Sequence, residues 1–113
     1  MELRCPDPSA NPYLAFAVMI AAGLDGMEKR LQLPDPVEES LYEMDAARVA
    51  QHGIRELPGS LEEAITELKG DSVVTAALGD HVLTHFLDAK QAEWDSYRTH
   101  VSDWELKRYL EQY

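Results

Sequence analysis

Between Pro12 and Leu31 the apolar residues surround a helix axis instead of keeping to one side, and this feature limits the fold more than any other. Asn11 supplies an N-cap and Pro12 the proline favoured at the first helical position, so a helix is expected from Pro12 to about Leu31. Tyr13, Leu14, Phe16, Val18, Met19, Ile20 and Leu24 point in all directions around it. A helix that is apolar on every side is one that other elements cover on every side. The rest of the 113-residue chain, with 27% charged residues overall, is too polar to supply that cover alone. The helix therefore asks for surface beyond the chain's own.

Glycine and proline divide the remainder into short helical pieces, with almost no alternation of the strand type. Glu2 to Cys5 reads as extended, and prolines at 6, 8 and 12 stiffen the segment leading into the helix. Pro34-Asp35-Pro36 ends the first helix, and Val37 to Met44 is an irregular or extended connector. Asp45 caps a short helix through Gln51, closed by Gly53. Ser60-Leu61-Glu62-Glu63 is a capping box, opening a helix whose Leu61, Ala64, Ile65 and Leu68 form one face and which Gly70 stops. Asp71 or Ser72 caps a further short helix to Gly79. From Asp80 a long helix carries Leu83, Phe86, Leu87, Trp94 and Tyr97, and Ser102 opens a last helix with Trp104, Leu106, Tyr109 and Leu110.

Acidic residues outnumber basic ones 21 to 10, a net charge of −11. Nucleic acids and anionic membranes are bound by clustered Lys and Arg, so neither is an expected partner. The apolar run Tyr13 to Leu24 spans only about a dozen residues, short of the roughly 20 that cross a bilayer. No basic segment precedes it in the manner of a signal peptide. A single cysteine, Cys5, rules out an internal disulfide framework and agrees with a reducing compartment, so a cytoplasmic location is expected.

If Glu2 to Arg4 is extended, the carboxylate and the guanidinium two residues apart face the same way. Two such charges alone are ordinarily solvated. Followed by Pro6-Asp7 and by Asn11-Pro12-Tyr13-Leu14-Ala15, however, they resemble a type I glutamine synthetase, the C-terminal part of its catalytic domain. The resemblance covers essentially the whole chain. It implies that Glu2 helps to hold a divalent cation, Mg²⁺ or Mn²⁺, on the nucleotide phosphates. It implies that Arg4 is the catalytic and ATP-binding arginine that meets the phosphoryl group in transfer. The family makes glutamine from glutamate and ammonia with ATP through a γ-glutamyl phosphate. Hard oxygen ligands suit such cations, and phosphoryl transfer is served mainly by charge neutralisation. Its other metal ligands and substrate pockets lie upstream of this segment, and Met1 stands where an internal strand residue is usual. The 113 residues are therefore expected to be an inactive fragment, with residues 1–5 extended and 12–113 helical.

The family also implies a homo-oligomer, a dodecamer, whose active sites form between subunits and whose C-terminal helix holds two rings together. Trp104, Tyr109 and Leu110 are read as interface residues on that basis, and Trp94 with Tyr97 as core. One branch of the family adenylylates a tyrosine in the region of Ser40-Leu41-Tyr42; Ser40 in place of asparagine and Glu43-Met44-Asp45 in place of the usual prolines weigh against that role for Tyr42, which is otherwise a partly buried aromatic. His81, His85 and Asp88 share a helical face at a spacing that suits a transition metal, but with no third strong ligand they read as surface residues. Cys5, with no activating neighbour, reads as a packing residue. The expected fold is mainly α, the multi-helix C-terminal portion of an α+β catalytic domain. The rival reading is a stand-alone, non-catalytic helical module that binds or regulates a partner such as a full-length synthetase.

Overall fold

The computed structural model describes residues 3–110. Met1, Glu2 and the terminal Glu111, Gln112 and Tyr113 lie outside the described residues. The chain folds into α1 (Pro12–Glu28), a 3₁₀ turn (Leu41–Glu43), α2 (Ala46–Gln51), α3 (Leu61–Gly70), α4 (Ser72–Arg98) and α5 (Asp103–Tyr109). Among the described residues there is no strand, as a mainly α chain requires.

Each helix begins where a side chain can satisfy the first backbone donors. The Asn11 carboxamide oxygen accepts from the amides of Tyr13 and Leu14 at 3.0 and 3.4 Å. Asp45 accepts from Arg48 N–H at 2.8 Å. Asp71, not Ser72, caps α4, accepting from Val73 and Val74 at 2.9 and 3.0 Å. The same Asp71 closes α3, so the two helices meet at one residue. The box at Ser60 is only half formed: Ser60 Oγ accepts from Glu63 N–H, but the Glu63 carboxylate reaches one residue further and accepts from Gly59 N–H at 2.8 Å. The complete reciprocal box is at the last helix, where Glu105 accepts from Ser102 N–H and returns its own N–H to Ser102 Oγ.

Helix α1 ends three residues before the expected Leu31. Arg30 takes a left-handed φ of 51°. Arg30 N–H then bonds to Met27 C=O at 3.2 Å and Leu31 N–H to Gly26 C=O at 3.0 Å, the paired bonds of a Schellman cap. The Leu31 side chain folds back over Gly26. Gly53, with φ 64°, closes α2 by the same pair of bonds, Gly53 N–H to Ala50 and Ile54 N–H to Val49. Gly79 divides α4 as expected, with φ 70° and ψ 157° between two helical stretches.

Helices α1 and α3 both pack on α4, while α2 and α5 have no comparable partner. Ile65, 4% exposed, is the one fully buried hydrophobic residue among those described. Leu61, Ala64 and Leu68 beside it are half-buried, as their common face requires. On α1, Leu14 and Val18 are half-buried in the cleft toward α3 and α4, whereas the opposite stripe of Phe16, Ile20, Leu24 and Met27 is 60–76% exposed. The all-round apolar helix is thus covered on one side only. The Cα radius of gyration is 18.6 Å, with extents of 60 × 42 × 23 Å. A compact domain of this length has a radius near 13 Å. Tyr97 is not core among the described residues: it is 71% exposed, and only its ring neighbour Trp94 is half-buried.

Candidate functional site

The segment before α1 is held at its far end by the Asn11 cap and near its middle by a tight turn. Asp7 Oδ1 accepts from Ser9 N–H at 2.8 Å and from Ser9 Oγ–H at 2.6 Å, and Asp7 C=O accepts from Ala10 N–H. The Ser9 hydroxyl and amide hold the Asp7 carboxyl below its ordinary value, with a smaller contribution from the Lys90 ammonium on α4. A cleft of about 610 Å³ lies between this turn and the helices, lined on one side by Cys5, Asp7 and Asn11 and on the other by Leu68, Phe86 and Lys90. On the opposite side, residues 3–10 and the exposed stripe of α1 enclose an apolar groove of about 920 Å³.

Arg4 is exposed on this segment. Glu2 lies outside the described residues, and with it the expected placement of Glu2 on one side with Arg4. Among the described residues, no group of three or more His, Cys, Asp or Glu is placed to hold a metal ion. The described residues do not make a divalent-cation site on their own, and a single carboxylate at Glu2 could supply only part of one.

The other expected positions separate clearly. Cys5 is exposed and is not a packing residue, because the segment that carries it runs over the surface of α1 and α4. Tyr42 is fully exposed, at 102%, on the 3₁₀ turn; no element comes over it, so it is not the partly buried aromatic expected. The His81 and His85 rings meet edge to face at 4.6 Å and are exposed with Asp88, in line with their reading as surface residues. On α5, Trp104 and Tyr109 touch ring to ring at 6.0 Å, and Trp104, Tyr109 and Leu110 are all half or more exposed. No helix among the described residues is long and apolar enough to cross a membrane. Sequence reasoning missed the Asp7–Ser9 turn and the approach of Lys90. Asp-Pro-Ser, with a carboxylate two residues before a hydroxyl, was a readable signal for the turn; nothing local announces Lys90, which is brought in by the packing of α4.

Comparison with known proteins agrees along the whole chain. Residues 1–109 match the sequence model for the glutamine synthetase catalytic domain. A glutamine synthetase of Thermus thermophilus is 57% identical over 112 residues, covering 99% of this chain and 25% of that protein. Those of Methanococcus maripaludis and Clostridium saccharobutylicum are 49% and 48% identical, over 97% and 100% of this chain. A solved structure described as "Apo GmaS without ligand" superposes with a TM-score of 0.78 at 34% identity, over 96% of this chain and 24% of that one. The chain thus spans about a quarter of the length of the relatives it matches. With a family match over residues 1–109 and identities near one half, the chain belongs to the glutamine synthetase catalytic-domain family.

Proposed function

We propose that this chain is the C-terminal portion of a glutamate–ammonia ligase, a cytoplasmic homo-oligomer that makes glutamine from glutamate and ammonia with ATP through a γ-glutamyl phosphate. The observation that carries the proposal is the 57% identity to a glutamine synthetase over 99% of the chain. In this reading residues 1–113 are one piece of a catalytic domain, and the segment before α1 carries its contribution to chemistry. Arg4 supplies a planar guanidinium with donors matched to phosphate oxygens. It orients the anionic group and neutralises charge that grows as the phosphoryl group moves. Glu2 contributes one carboxylate to a Mg²⁺ or Mn²⁺ site whose remaining ligands come from elsewhere in the enzyme. Trp104, Tyr109 and Leu110 on α5 belong in this reading to a subunit interface.

The chain by itself then makes no glutamine, since one arginine and one carboxylate are a small share of a site for three substrates. The test uses the chain alone and the enzyme that contains it. Glutamate, ammonia, ATP and Mg²⁺ should give no glutamine with the 113 residues. In the enzyme, Arg4→Ala should lower kcat more than it raises KM, and Arg4→Lys should restore only part of the rate. Turnover by the isolated chain, or wild-type kinetics in the enzyme with both Glu2 and Arg4 replaced, overturns the reading.

A further inference from the structure

We propose that His81 and His85, near the start of the second stretch of α4, form a surface chelate for a transition-metal dication of the Cu²⁺, Ni²⁺ or Zn²⁺ class. The proposal is independent of the catalytic reading: it uses neither Arg4 nor the Mg²⁺ or Mn²⁺ site, and its cation favours nitrogen where those favour oxygen.

The chain has four histidines, at 52, 81, 85 and 100, and among them only 81 and 85 stand one helical turn apart. Both follow Gly79, the break in α4, and lie in the regular stretch that runs on to Arg98. On such a stretch residues at i and i+4 sit one above the other. Their rings do meet, with centroids 4.6 Å apart and planes at 77°. A metal–nitrogen bond of about 2.0–2.1 Å sets each ring centroid about 3.2 Å from the cation, so two imidazoles bound at about 90–110° have centroids roughly 4.5–5.2 Å apart. The observed separation already lies in that range. What remains is to turn one nitrogen of each ring toward a shared point, and the second side-chain torsion of histidine moves in a broad well. The helix itself stays where it is, so little order has to be gained on binding.

Two imidazoles fall short of an enclosed centre, which takes three or four protein ligands. Among the described residues no third ligand is placed to complete one. Both histidines are exposed, so water fills the other positions and the cation exchanges freely. The net charge of −11, with Asp80 beside His81 and Asp88 on the same face, attracts cations to the pair. A cation held by both rings ties together the opening turns after Gly79. It binds them as a chelate only when those turns are helical, and therefore stabilises the folded chain. His52 and His100 are also exposed but stand on other parts of the chain, which makes them internal controls.

The experiment titrates the 113-residue chain near neutral pH with each chloride salt alone, followed by calorimetry and by urea melts. One Cu²⁺ per chain is expected, with affinity falling through Ni²⁺ and Zn²⁺ to Mn²⁺ and with no response to Mg²⁺. Saturating Zn²⁺ should raise the urea midpoint. His81→Asn and His85→Asn should each lower the Cu²⁺ affinity by about tenfold or more, because a lone imidazole lacks the effective concentration of the second. His100→Asn should leave it unchanged, and circular dichroism should show the same helix content in all three variants. In the unaltered chain, sparing amounts of Cu²⁺ should broaden the ring resonances of His81 and His85 together, ahead of those of His52 and His100. The enzyme that contains the chain should lose one Cu²⁺ per subunit on His85→Asn while still making glutamine. Equal affinity in the single variants, simultaneous broadening of all four histidines, or a Mg²⁺ response as strong as that to Cu²⁺ overturns the proposal.

Discussion

Replacing Gly79 by alanine isolates a purely backbone cost. At φ 70° and ψ 157°, Gly79 occupies a region that is essentially closed to residues with a Cβ. A Cβ built there meets nothing within 4 Å, so neither crowding nor a lost contact contributes. Holding an L-residue in such a conformation costs about 1–3 kcal/mol. The smaller freedom of alanine in the unfolded chain returns about 0.4–1 kcal/mol. The net loss is therefore about 1–2 kcal/mol, a factor of roughly 5 to 30 in the folded to unfolded ratio. With a urea dependence of about 1–3 kcal/mol per molar, the midpoint should fall by about 1 M, read by far-UV circular dichroism. The control is the mirror residue: D-alanine at 79, introduced by ligation of synthetic segments, favours positive φ and should leave the midpoint unchanged or raised. An L-alanine variant as stable as the parent, or one whose helix content rises as α4 straightens without loss of stability, would show that the break at Gly79 is not imposed by packing against α1 and α3.

Two further outcomes are expected from other parts of the chain. Ile65→Ala empties the one fully buried hydrophobic position among the described residues and should cost about 2–4 kcal/mol in urea melts, whereas Leu57→Ala, at a residue already 68% exposed, should change stability little. The backbone and hydroxyl bonds from Ser102 hold the Glu105 carboxyl below its ordinary value of 4.5. Folded α5 therefore binds fewer protons than its unfolded form: the stabilisation is present above pH 4.5 and is lost as pH falls through the lower folded value. Trp104 fluorescence in a Trp94→Phe background should report that loss, and Glu105→Gln should remove its pH dependence.

The sequence made helix starts legible because a capping side chain announces itself. Asn11, Asp45, Ser60 and Ser102 all act where they were expected, and Gly79 breaks the chain where its lack of a side chain suggests. Helix ends were less legible. Arg30 adopts the left-handed cap that glycine usually marks, so composition gave no warning that α1 would stop at Glu28. Glu63 was expected to bond back to Ser60 and instead reaches Gly59, a choice between two adjacent amides that spacing cannot decide. Tyr97 has the periodicity of a core residue, but periodicity says which side a residue faces, not whether anything lies opposite. The candidate site was legible only through its resemblance to a family. Arg4 by charge and spacing looks like any exposed arginine, and no cluster of ligands among the described residues marks a metal centre.

The one-residue corner at Asp71 sets the order in which the structure can assemble. Helices α3 and α4 are joined without a loop, so their packing forms between near neighbours in sequence. For α1 to reach α4 the chain must close the roughly 40 residues between Glu28 and Ser72, an entropic toll of about 3 kcal/mol beyond that of a direct link. The corner is thus the element able to nucleate, and α1 docks onto a surface already made. Residues 3–11, anchored to α1 through Asn11, move with it. The segment bearing Arg4 is therefore expected to reach its place together with α1, after the α3–α4 corner has formed.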